Sequence, residues 1–344
     1  MTLKIFITGV TGYIGGDAAY AIAKAHPEYE YAFLVRTQEK ADVVKKAFPD
    51  CRTVIGDNDS TDLLKKEAAE ADIVLHTADS SDNENAAKAI RDGLIAGHSK
   101  EKPGFWLHTG GTGILTTSDA KAGNVGVYSD KLYNDWDRVH EVTSLPDDAF
   151  HRNVDIIVLE ASKKHSDVLK TVIVCPPTIY GKGRGPSSTR GRQAYELSKM
   201  VLQQQVTPIF GEGKARWFNV HVHDLSDVFV RLVDAVADKN LSPEIWGEKG
   251  YLFTENGQHY WSELARVIGK EAVKAGFVSS APEKVLSQDA AEKQAGSEGV
   301  SWSLNSRAEA IRARKVLGWS PKERSLEDEV PTIVQSEHEL LSKK

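Results

Sequence analysis

The first sixteen residues constrain the fold of this chain more strongly than any other stretch. Residues 4–8 form a short apolar run with β-branched side chains, a glycine-rich turn follows at residues 9–16, and an amphipathic stretch comes next. In a turn of this kind Gly9 permits a tight bend, Gly12 lets the backbone approach a pyrophosphate, and Gly15 lets the following helix pack on the strand. Because a helix N-terminus offers free N–H groups and the positive end of its dipole, the order strand, glycine turn, helix predicts a dinucleotide-binding site.

The composition is typical of a large α/β protein. A chain of 344 residues can bury a full core, and its formal charge of −6, with both signs interspersed, offers no basic face for nucleic acid. Two cysteines, Cys51 and Cys175, cannot form a disulfide framework and indicate a reducing compartment. No apolar run approaches the roughly 20 residues that span a bilayer. We therefore expect a cytoplasmic protein that acts on a small-molecule substrate without contacting nucleic acid or membrane. Whether it forms a homodimer stays open.

The end of the second predicted strand indicates which dinucleotide is bound. Residues 31–35 form that strand, with Arg36 at its C-terminal end and Lys40 one helical turn further on. A site that prefers NAD usually places a carboxylate here, which accepts a hydrogen bond from the ribose 2′-OH. Two cations instead suit a 2′-phosphate, so the sequence favours NADP (NADPH) over NAD. The alternative is a solvated arginine at the end of a strand.

Strand–helix alternation continues through three further predicted strands, at residues 52–57, 71–78 and 105–109. Right-handed βαβ units of this kind build a parallel sheet, with the ligand at the C-terminal ends of the strands. The predicted fold class is α/β: a Rossmann-type doubly wound parallel sheet with a smaller α/β substrate lobe.

The same patterns predict how the chain divides into domains. Residues 1–180 form the NADP-binding Rossmann domain, and residues 181–335 form most of a substrate-binding lobe. Segments at about 215–235 and 250–255 are expected to return to the main domain. The substrate would lie in the cleft between the two parts.

Several motifs resemble the short-chain dehydrogenase/reductase superfamily, in its extended (epimerase/dehydratase-like) and atypical branches. The glycine turn has the spacing G-x-x-G-x-x-G and is preceded by Thr8. The proline-rich turn at residues 175–181 and the hairpin and strand at residues 208–225 resemble the extended branch closely. Residues 317–321 look like the Leu-Gly-Trp-x-Pro sequence of that family. The resemblance covers nearly the whole chain and is specific for fold and cofactor.

The resemblance implies which residues bind the cofactor. In this superfamily an Asp after the third strand meets the adenine amino group, the backbone after the fourth strand lies along the nicotinamide ribose, and the proline turn closes over the nicotinamide. Asp57, which takes the first role, is equally suited to a turn or helix cap. The complete set is Gly9, Thr11, Gly12, Tyr13, Ile14, Gly15, Arg36, Lys40, Asp57, Thr77, Ala78, Thr109, Pro176 and Ile179.

The resemblance also implies a catalytic set from which this sequence departs. In the family a Ser or Thr follows the fifth strand, and a Tyr with a Lys four residues later lies on the next helix, where the Tyr acts as general acid. Here only Thr109 and Thr112 offer a hydroxyl after the fifth strand. Aligned on Glu160, the Tyr position holds His151 and the Lys position holds Asp155.

Three hypotheses for the proton donor follow. His151 and Asp155, spaced i, i+4, form an acid/base pair, since histidine titrates near neutrality and a carboxylate can orient it. Alternatively Tyr133 or Tyr128, from the long segment before the helix, reaches the site. In the third hypothesis all of these are ordinary residues and the proton-transfer machinery is absent. The Tyr-x-x-x-Lys string at residues 195–199 follows the sixth strand, where we interpret it as a coincidence.

The second half of the chain contains two further patterns. Residues 183–191 are rich in Gly, Arg and Ser and predict a mobile segment over the site, whose arginines would hold an anionic substrate or remain solvated. The arginines in and beside this segment are Arg184, Arg190 and Arg192. His221 and His223 alternate on a predicted strand, but no third ligand of suitable spacing follows, so we expect no metal.

These features favour an NADPH-dependent oxidoreductase (a reductase) that acts on a small carbonyl or related metabolite. A sugar-nucleotide epimerase or dehydratase-like enzyme is a second hypothesis, and the missing Tyr/Lys pair argues against it. An NADP-binding sensor or regulatory protein without turnover is a third hypothesis, which the same absence favours.

Overall fold

An all-parallel sheet of seven strands forms the centre of the protein, whose computed structural model describes residues 2–343. In chain order the strands are β1 (Lys4–Thr8), β2 (Glu30–Val35), β3 (Arg52–Ile55), β4 (Ile73–His76), β5 (Gly104–Thr109), β7 (Leu169–Cys175) and β11 (Tyr251–Phe253). Their order across the sheet is β3-β2-β1-β4-β5-β7-β11, and every neighbouring pair is parallel. The direction of chain progression reverses between β1 and β4, which opens a crevice at the carboxyl ends of these strands.

Helices cover both faces of this sheet. They are α1 (Tyr13–Ala25), α2 (Gln38–Ala47), α3 (Thr61–Glu70), α4 (Glu84–Gly97), α7 (Arg152–Lys164) and α9 (Val222–Ala237). Helices α1 and α9 pack against each other, and so do α3, α4 and α7 in succession. Short helices α5 (Thr117–Ala122) and α6 (Val139–Thr143) lie between β5 and α7. The predicted α/β class with a doubly wound parallel sheet is confirmed.

The second half of the chain, together with one short strand of the first half, builds a smaller assembly. Its three-stranded sheet consists of β8 (Thr178–Tyr180), β10 (Arg216–His221) and β12 (Gln258–Tyr260), and two-stranded pairs join β9 (Thr207–Phe210) with β13 (Glu283–Leu286) and β6 (Tyr133–Asn134) with β14 (Ala308–Glu309). The helices are α8 (Gln193–Gln204), α10 (Trp261–Lys274), α11 (Gln288–Ala295), α12 (Ser297–Ser301), α13 (Arg312–Leu317) and α14 (Leu326–Ser342).

The apolar side chains form two separate cores. One surrounds the seven-stranded sheet, and the other lies between the helices and strands of the second half. The rings of Trp217, Trp261 and Trp302 lie 6.0 and 6.2 Å apart in succession in the second core. Residues 251–253 join the edge of the main sheet as β11, although residues of the second core both precede and follow them in the sequence. The domain boundary at residue 180 stays a prediction.

The helices also bear on whether the chain enters a membrane. Among residues 2–343, no helix combines the length and the apolar character that crossing a bilayer requires.

A buried carboxylate ties late segments of the chain to the main sheet. Asp135 is fully buried and accepts hydrogen bonds from the backbone N–H groups of Phe253 at 2.9 Å, Ile311 at 2.9 Å and Arg312 at 2.8 Å. The Arg312 guanidinium also donates to the Asp135 carbonyl at 2.7 Å. One side chain thus holds the edge strand β11 and the start of α13 together.

This tie predicts a large loss of stability on truncation. Asp135→Ala leaves three backbone donors without an acceptor, and we expect it to lower the free energy of unfolding by about 3 kcal/mol or more. Asp135→Asn keeps one acceptor oxygen, so we expect it to lower the free energy of unfolding by less than Asp135→Ala does. Denaturant midpoints would measure both, with the exposed Asp137→Ala as control. Equal midpoints for Asp135→Ala and the control would contradict this account.

Candidate active site

The glycine turn brings β1, α1 and the end of β4 into close contact. Gly9 has φ +82°, and its carbonyl accepts a hydrogen bond from the N–H of Gly12 at 2.8 Å. A Cβ on Gly15 would lie 2.1 Å from Thr77 Oγ1 and 2.5 Å from the Gly9 carbonyl oxygen. No side chain fits in that space, so glycine at this position lets α1 begin directly against the two strands.

Gly12, in contrast, is much less crowded. It caps the N-terminus of α1 with an extended backbone, and a Cβ there would meet only the Gly9 carbonyl oxygen, at 3.1 Å. The free N–H groups of the first helical turn are therefore approachable from this side. This geometry fits the close approach of a pyrophosphate that the sequence predicts.

Most of the other predicted cofactor residues lie at the same edge of the sheet, because each ends or follows a parallel strand. Arg36 follows β2, Asp57 follows β3, and the remainder follow or end β1, β4, β5 and β7. These residues are Gly9, Thr11, Gly12, Thr77, Ala78, Thr109 and Pro176. Tyr13, Ile14 and Gly15 begin α1, and Ile179 lies half-buried on β8 against the main core.

Asp57 occupies a turn before α3. Its carboxylate accepts hydrogen bonds from the N–H of Asp59 at 3.1 Å and from the hydroxyl of Ser60 at 2.8 Å. The Ser60 hydrogen bond lowers the pKa of Asp57. The neighbouring Asn58 donates to the Ala78 carbonyl at 2.8 Å and links the ends of β3 and β4. Sequence reasoning did not single out Asn58.

A row of neutral polar side chains lies beneath the crevice. Thr8 Oγ1 accepts from the N–H groups of Thr77 at 3.1 Å and Ala78 at 3.3 Å, so its own hydrogen is directed to His76 Nδ1 at 2.8 Å. The proton of His76 therefore resides on Nε2. Burial lowers the pKa of His76 to about 3 and that of the neighbouring His108 well below its usual value. We interpret both rings as uncharged structural groups.

The hydrogen-bond partner of His151 differs from the predicted one. Helix α7 begins at Arg152, and His151 precedes it with φ +67°, so His151 does not share a helix face with Asp155. Its Nδ1 lies 2.7 Å from Asp82 Oδ1 instead. Burial by itself would raise the pKa of Asp82. The hydrogen bond with His151 acts in the opposite direction, and the pKa of Asp82 is lowered overall. The carboxylate partner of His151 is therefore Asp82, in the loop between β4 and α4, and the predicted pairing with Asp155 is wrong.

The Nε2 edge of the His151 ring, opposite Nδ1, lies against the glycine-rich loop after β5. His151 Nε2 lies 3.5 Å from the position of a Cβ on Gly111 and 3.4 Å from one on Gly113. Thr109 and Thr112 of the same loop are buried, and their hydroxyl groups have no hydrogen-bond partner among residues 2–343. The structure thus places His151 beside Gly111 and Gly113, in the segment that also contains both predicted threonines.

Asp155 is buried behind this loop with a different partner. Its Oδ2 accepts a hydrogen bond from the Tyr251 hydroxyl at 2.8 Å, and its Oδ1 has no partner among the described residues. Burial raises the pKa of Asp155 to about 6. Tyr251 stands 96 positions later in the chain, and no local pattern pointed to it.

Tyr133, a predicted proton donor, and Tyr195, of the Tyr-x-x-x-Lys string that we interpret as a coincidence, have other contacts. Tyr133 is buried on β6, with the Lys131 ammonium 4.6 Å from its ring centroid. Tyr195 donates from its hydroxyl to the Gly181 carbonyl at 3.0 Å. Among residues 2–343, neither hydroxyl is hydrogen-bonded to His151 or Asp155. The hypothesis that Tyr133 serves as proton donor therefore gains no support from these contacts.

Two neighbouring arginines lack a carboxylate partner. Arg216 is buried, with its guanidinium 4.5 Å from the ring of Tyr128 and 5.4 Å from that of Tyr260. Arg216 donates to the Ser129 carbonyl at 2.6 Å, and Arg307 donates to the same oxygen at 3.4 Å. Burial, and then the adjacent Arg216, lower the pKa of Arg307. Neither forms an ion pair with a described carboxylate, so the two cations are available to an anionic group.

The three arginines that the sequence suggested for anion binding are already paired. Arg184 contacts Asp17 at 2.6 Å, Arg190 contacts Glu337 at 2.6 Å, and Arg192 contacts Glu298 at 2.8 Å, which neutralises each charge. Their assignment as substrate-binding residues is not supported.

The expectation that no third metal ligand accompanies His221 and His223 is also corrected. Glu323 brings a carboxylate oxygen to them, and one ligand atom from each residue lies within 4.8 Å of the others. Several of these atoms are already in use, since His221 Nδ1 accepts the N–H of His223 at 3.2 Å and His223 Nε2 contacts the Lys182 carbonyl at 3.0 Å. We assign no metal to this group.

Comparison with known proteins shows clear relatives. The model of the NAD dependent epimerase/dehydratase family matches residues 149–246. The oxidase ucsJ of Acremonium sp is 38% identical over 347 aligned residues, which cover 99% of this chain and 99% of that protein. An uncharacterized protein of Saccharomyces cerevisiae is 25% identical, with 95% of this chain and 98% of that protein covered.

Solved structures of sugar-nucleotide enzymes share the fold. UDP-glucose 4-epimerase from Thermotoga maritima superposes with a TM-score of 0.63 at 13% identity, covering 98% of this chain and 100% of that chain. DesIV, a dTDP-glucose 4,6-dehydratase from Streptomyces venezuelae with NAD and TYD bound, gives a TM-score of 0.66 at 15% identity, covering 99% and 98% respectively. At these identities the likeness establishes the fold alone.

The burial of Asp155 predicts that the folded state loses stability as pH rises. Its folded pKa of about 6 exceeds the usual 3.8, so the folded state binds the proton more tightly and loses stability as pH rises between these values. Asp155→Asn carries no such charge. We expect the stability of the wild type relative to Asp155→Asn to fall by about 2 kcal/mol between pH 4 and pH 8.

Denaturant midpoints of both proteins across that pH range would measure the difference. Tyr251→Phe removes the hydrogen bond that favours the charged carboxylate. Stability should therefore decrease more steeply with pH in this variant than in the wild type. Parallel curves for the wild type and Asp155→Asn would show that Asp155 does not titrate in this way.

Proposed function

The chain belongs to the NAD dependent epimerase/dehydratase family, the extended branch of the short-chain dehydrogenases/reductases, and on that premise we propose that it is an NADPH-dependent oxidoreductase of a small carbonyl or related metabolite. The observation that carries this proposal is the pairing of His151 with Asp82 beside the loop after β5, at the same sheet edge as the open glycine turn. A relative that is 38% identical is named an oxidase, which supports redox chemistry.

The residues at the sheet edge fit a nicotinamide dinucleotide. The open face of Gly12 would admit the pyrophosphate, and Thr77, Ala78 and Pro176 would line the nicotinamide end. DesIV contains NAD, which supports a cofactor of this class. The absence of an acid after β2, where Arg36 stands, supports NADPH over NADH. When bound, this cofactor would supply the hydride.

His151 would supply the proton that accompanies the hydride. With Nδ1–H donated to Asp82, the carboxylate would hold the ring in a fixed orientation. Nε2 is then directed to the loop at Gly111 and Gly113, where it can donate to a carbonyl oxygen. The carbonyl carbon gains the hydride and the oxygen gains this proton, which together give an alcohol. In the oxidation direction the same nitrogen accepts the proton.

The substrate would carry an anionic group. Arg216 and Arg307 lie next to each other without a described carboxylate partner, and Tyr128 and Tyr260 flank the Arg216 guanidinium. A guanidinium binds a carboxylate or phosphate with two parallel hydrogen bonds, and desolvation strengthens that contact. We therefore expect a carbonyl compound that bears one of these groups.

A sensor without turnover is the second candidate. The observation that favours it is the residue at the usual lysine position, which is Asp155. This aspartate is buried and hydrogen-bonded to Tyr251, so the position offers no cation to the cofactor. Oxidation of NADPH across a panel of small anionic carbonyls would distinguish the two functions. Tight NADPH binding with no oxidation of the cofactor by any member would favour the sensor.

The proposed pair of His151 and Asp82 predicts a specific kinetic defect. His151→Gln removes the proton donor, and Asp82→Asn removes its orienting carboxylate, so we expect kcat to fall by about 100-fold for the first variant and less for the second. The dissociation constant of NADPH should stay within about twofold, because neither side chain lies at the glycine turn. Stopped-flow NADPH oxidation and calorimetry would measure the two quantities. His140→Gln, an exposed histidine on α6, serves as control, and an unchanged kcat in His151→Gln would remove His151 from the mechanism.

The glycine turn predicts different outcomes for side chains added at two of its positions. Gly12→Val places a branched side chain where the pyrophosphate would approach, so we expect the affinity for NADPH to fall by about tenfold or more with the fold intact. Gly15→Ala forces a Cβ to within 2.1 Å of Thr77 Oγ1 and should lower the thermal midpoint instead. Calorimetry and circular dichroism would separate the effects. NADPH binding that survives Gly12→Val unchanged would exclude the proposed site.

A further inference from the structure

The loop of residues 181–191, here called the cover loop, is fastened to α1 by a buried carboxylate. Asp17 is fully buried and accepts hydrogen bonds from Arg184 through the backbone N–H at 2.8 Å, Nε at 3.0 Å and Nη2 at 2.6 Å. Ser226 of α9 donates to the same carboxylate at 2.6 Å. Three charge-assisted contacts to one buried acid hold the loop in a fixed place.

Backbone contacts carry the cover loop over the glycine turn itself. Gly185 Cα lies 3.1 Å from the position of a Cβ on Gly16, and the N–H of Ser188 donates to the Thr11 carbonyl at 3.2 Å. The Tyr13 hydroxyl donates to the Gly181 carbonyl at 2.5 Å. A segment from the second half of the chain therefore closes over the start of α1.

This position brings a hydroxyl of the cover loop to Lys40, one of the two cations that follow β2. Ser187 Oγ lies 3.4 Å from Lys40 Nζ. Thr37 caps α2 by accepting the N–H of Lys40 at 3.4 Å, which fixes the backbone of the lysine. Neither Arg36 nor Lys40 forms an ion pair with a carboxylate among residues 2–343. Arg36 follows β2, Lys40 lies in the first turn of α2, and Ser187 lies 147 positions after Lys40.

We propose that the adenosine 2′-phosphate of the dinucleotide is bound between Arg36, Lys40 and Ser187, so that the cover loop contributes to the choice of NADP over NAD. This rests on the proposed function, and it adds a binding residue that lies outside the Rossmann motif. A phosphate monoester carries up to two negative charges and accepts hydrogen bonds from a guanidinium, an ammonium and a hydroxyl together. The ribose 2′-OH of NAD carries no charge to engage the two cations.

The test uses adenosine fragments, so that binding is read without any reaction. We would titrate the full chain with 2′,5′-ADP and with 5′-AMP by calorimetry, and the ratio of their affinities isolates the 2′-phosphate. We expect the wild type to prefer 2′,5′-ADP by about tenfold or more. Ser187→Asp places a carboxylate beside Lys40 and should abolish most of that preference, whereas the affinity for 5′-AMP stays within about twofold.

Two further variants make the result specific. Ser187→Ala removes only the hydroxyl and should reduce the preference by about threefold. Ser99→Asp adds the same charge to an exposed serine between α4 and β5, at the opposite edge of the sheet, and should leave both affinities unchanged. Because Ser187 and Ser99 are both exposed, neither change is expected to unfold the chain.

The outcomes separate this inference from the proposed function. If Ser187→Asp keeps the wild-type preference, the cover loop does not bind the 2′-phosphate and the inference is wrong, although an NADPH-dependent enzyme would still stand. A wild type that binds both fragments equally would also overturn the inference. If neither fragment and neither intact dinucleotide binds, the proposed function itself fails.

Discussion

The contact between the glycine turn and the end of β4 is the constraint on which the rest of the site depends. Gly15 lies so close to Thr77 and to the Gly9 carbonyl that no side chain could replace its hydrogen. This contact sets where α1 begins and therefore where its free N–H groups are directed. The carboxyl ends of the neighbouring strands meet the same crevice, and most of the predicted cofactor residues lie there.

Buried carboxylates then join the second half of the chain to this frame. Asp17 holds the cover loop through Arg184, and Asp135 holds β11 and the start of α13. Each accepts several hydrogen bonds at once, which is how a buried charge becomes tolerable. Both are remote in sequence from most of their partners. Hydrogen bonds to these two carboxylates thus hold the two halves of the chain together, in addition to the packing of the apolar cores.

The sheet and the glycine turn could be predicted because their signals are local, whereas the acid/base pair could not. The spacing of His151 and Asp155 predicts a shared helix face only if both residues are helical. His151 instead adopts φ +67° before the first turn of α7, which directs its ring to Asp82. The family alignment placed His151 on the helix after β5, at the position of the usual tyrosine, but that helix begins one residue later, at Arg152.

The sequence by itself determined the fold class, the family, and the edge of the sheet where a dinucleotide can bind, because apolar periodicity and glycine spacing record local conformation. Only the tertiary structure decided which side chains meet there. Asp82 reaches His151 across 69 positions and Tyr251 reaches Asp155 across 96. Such contacts leave no periodic trace in the chain, since they depend on which loops the sheet topology brings together at one edge.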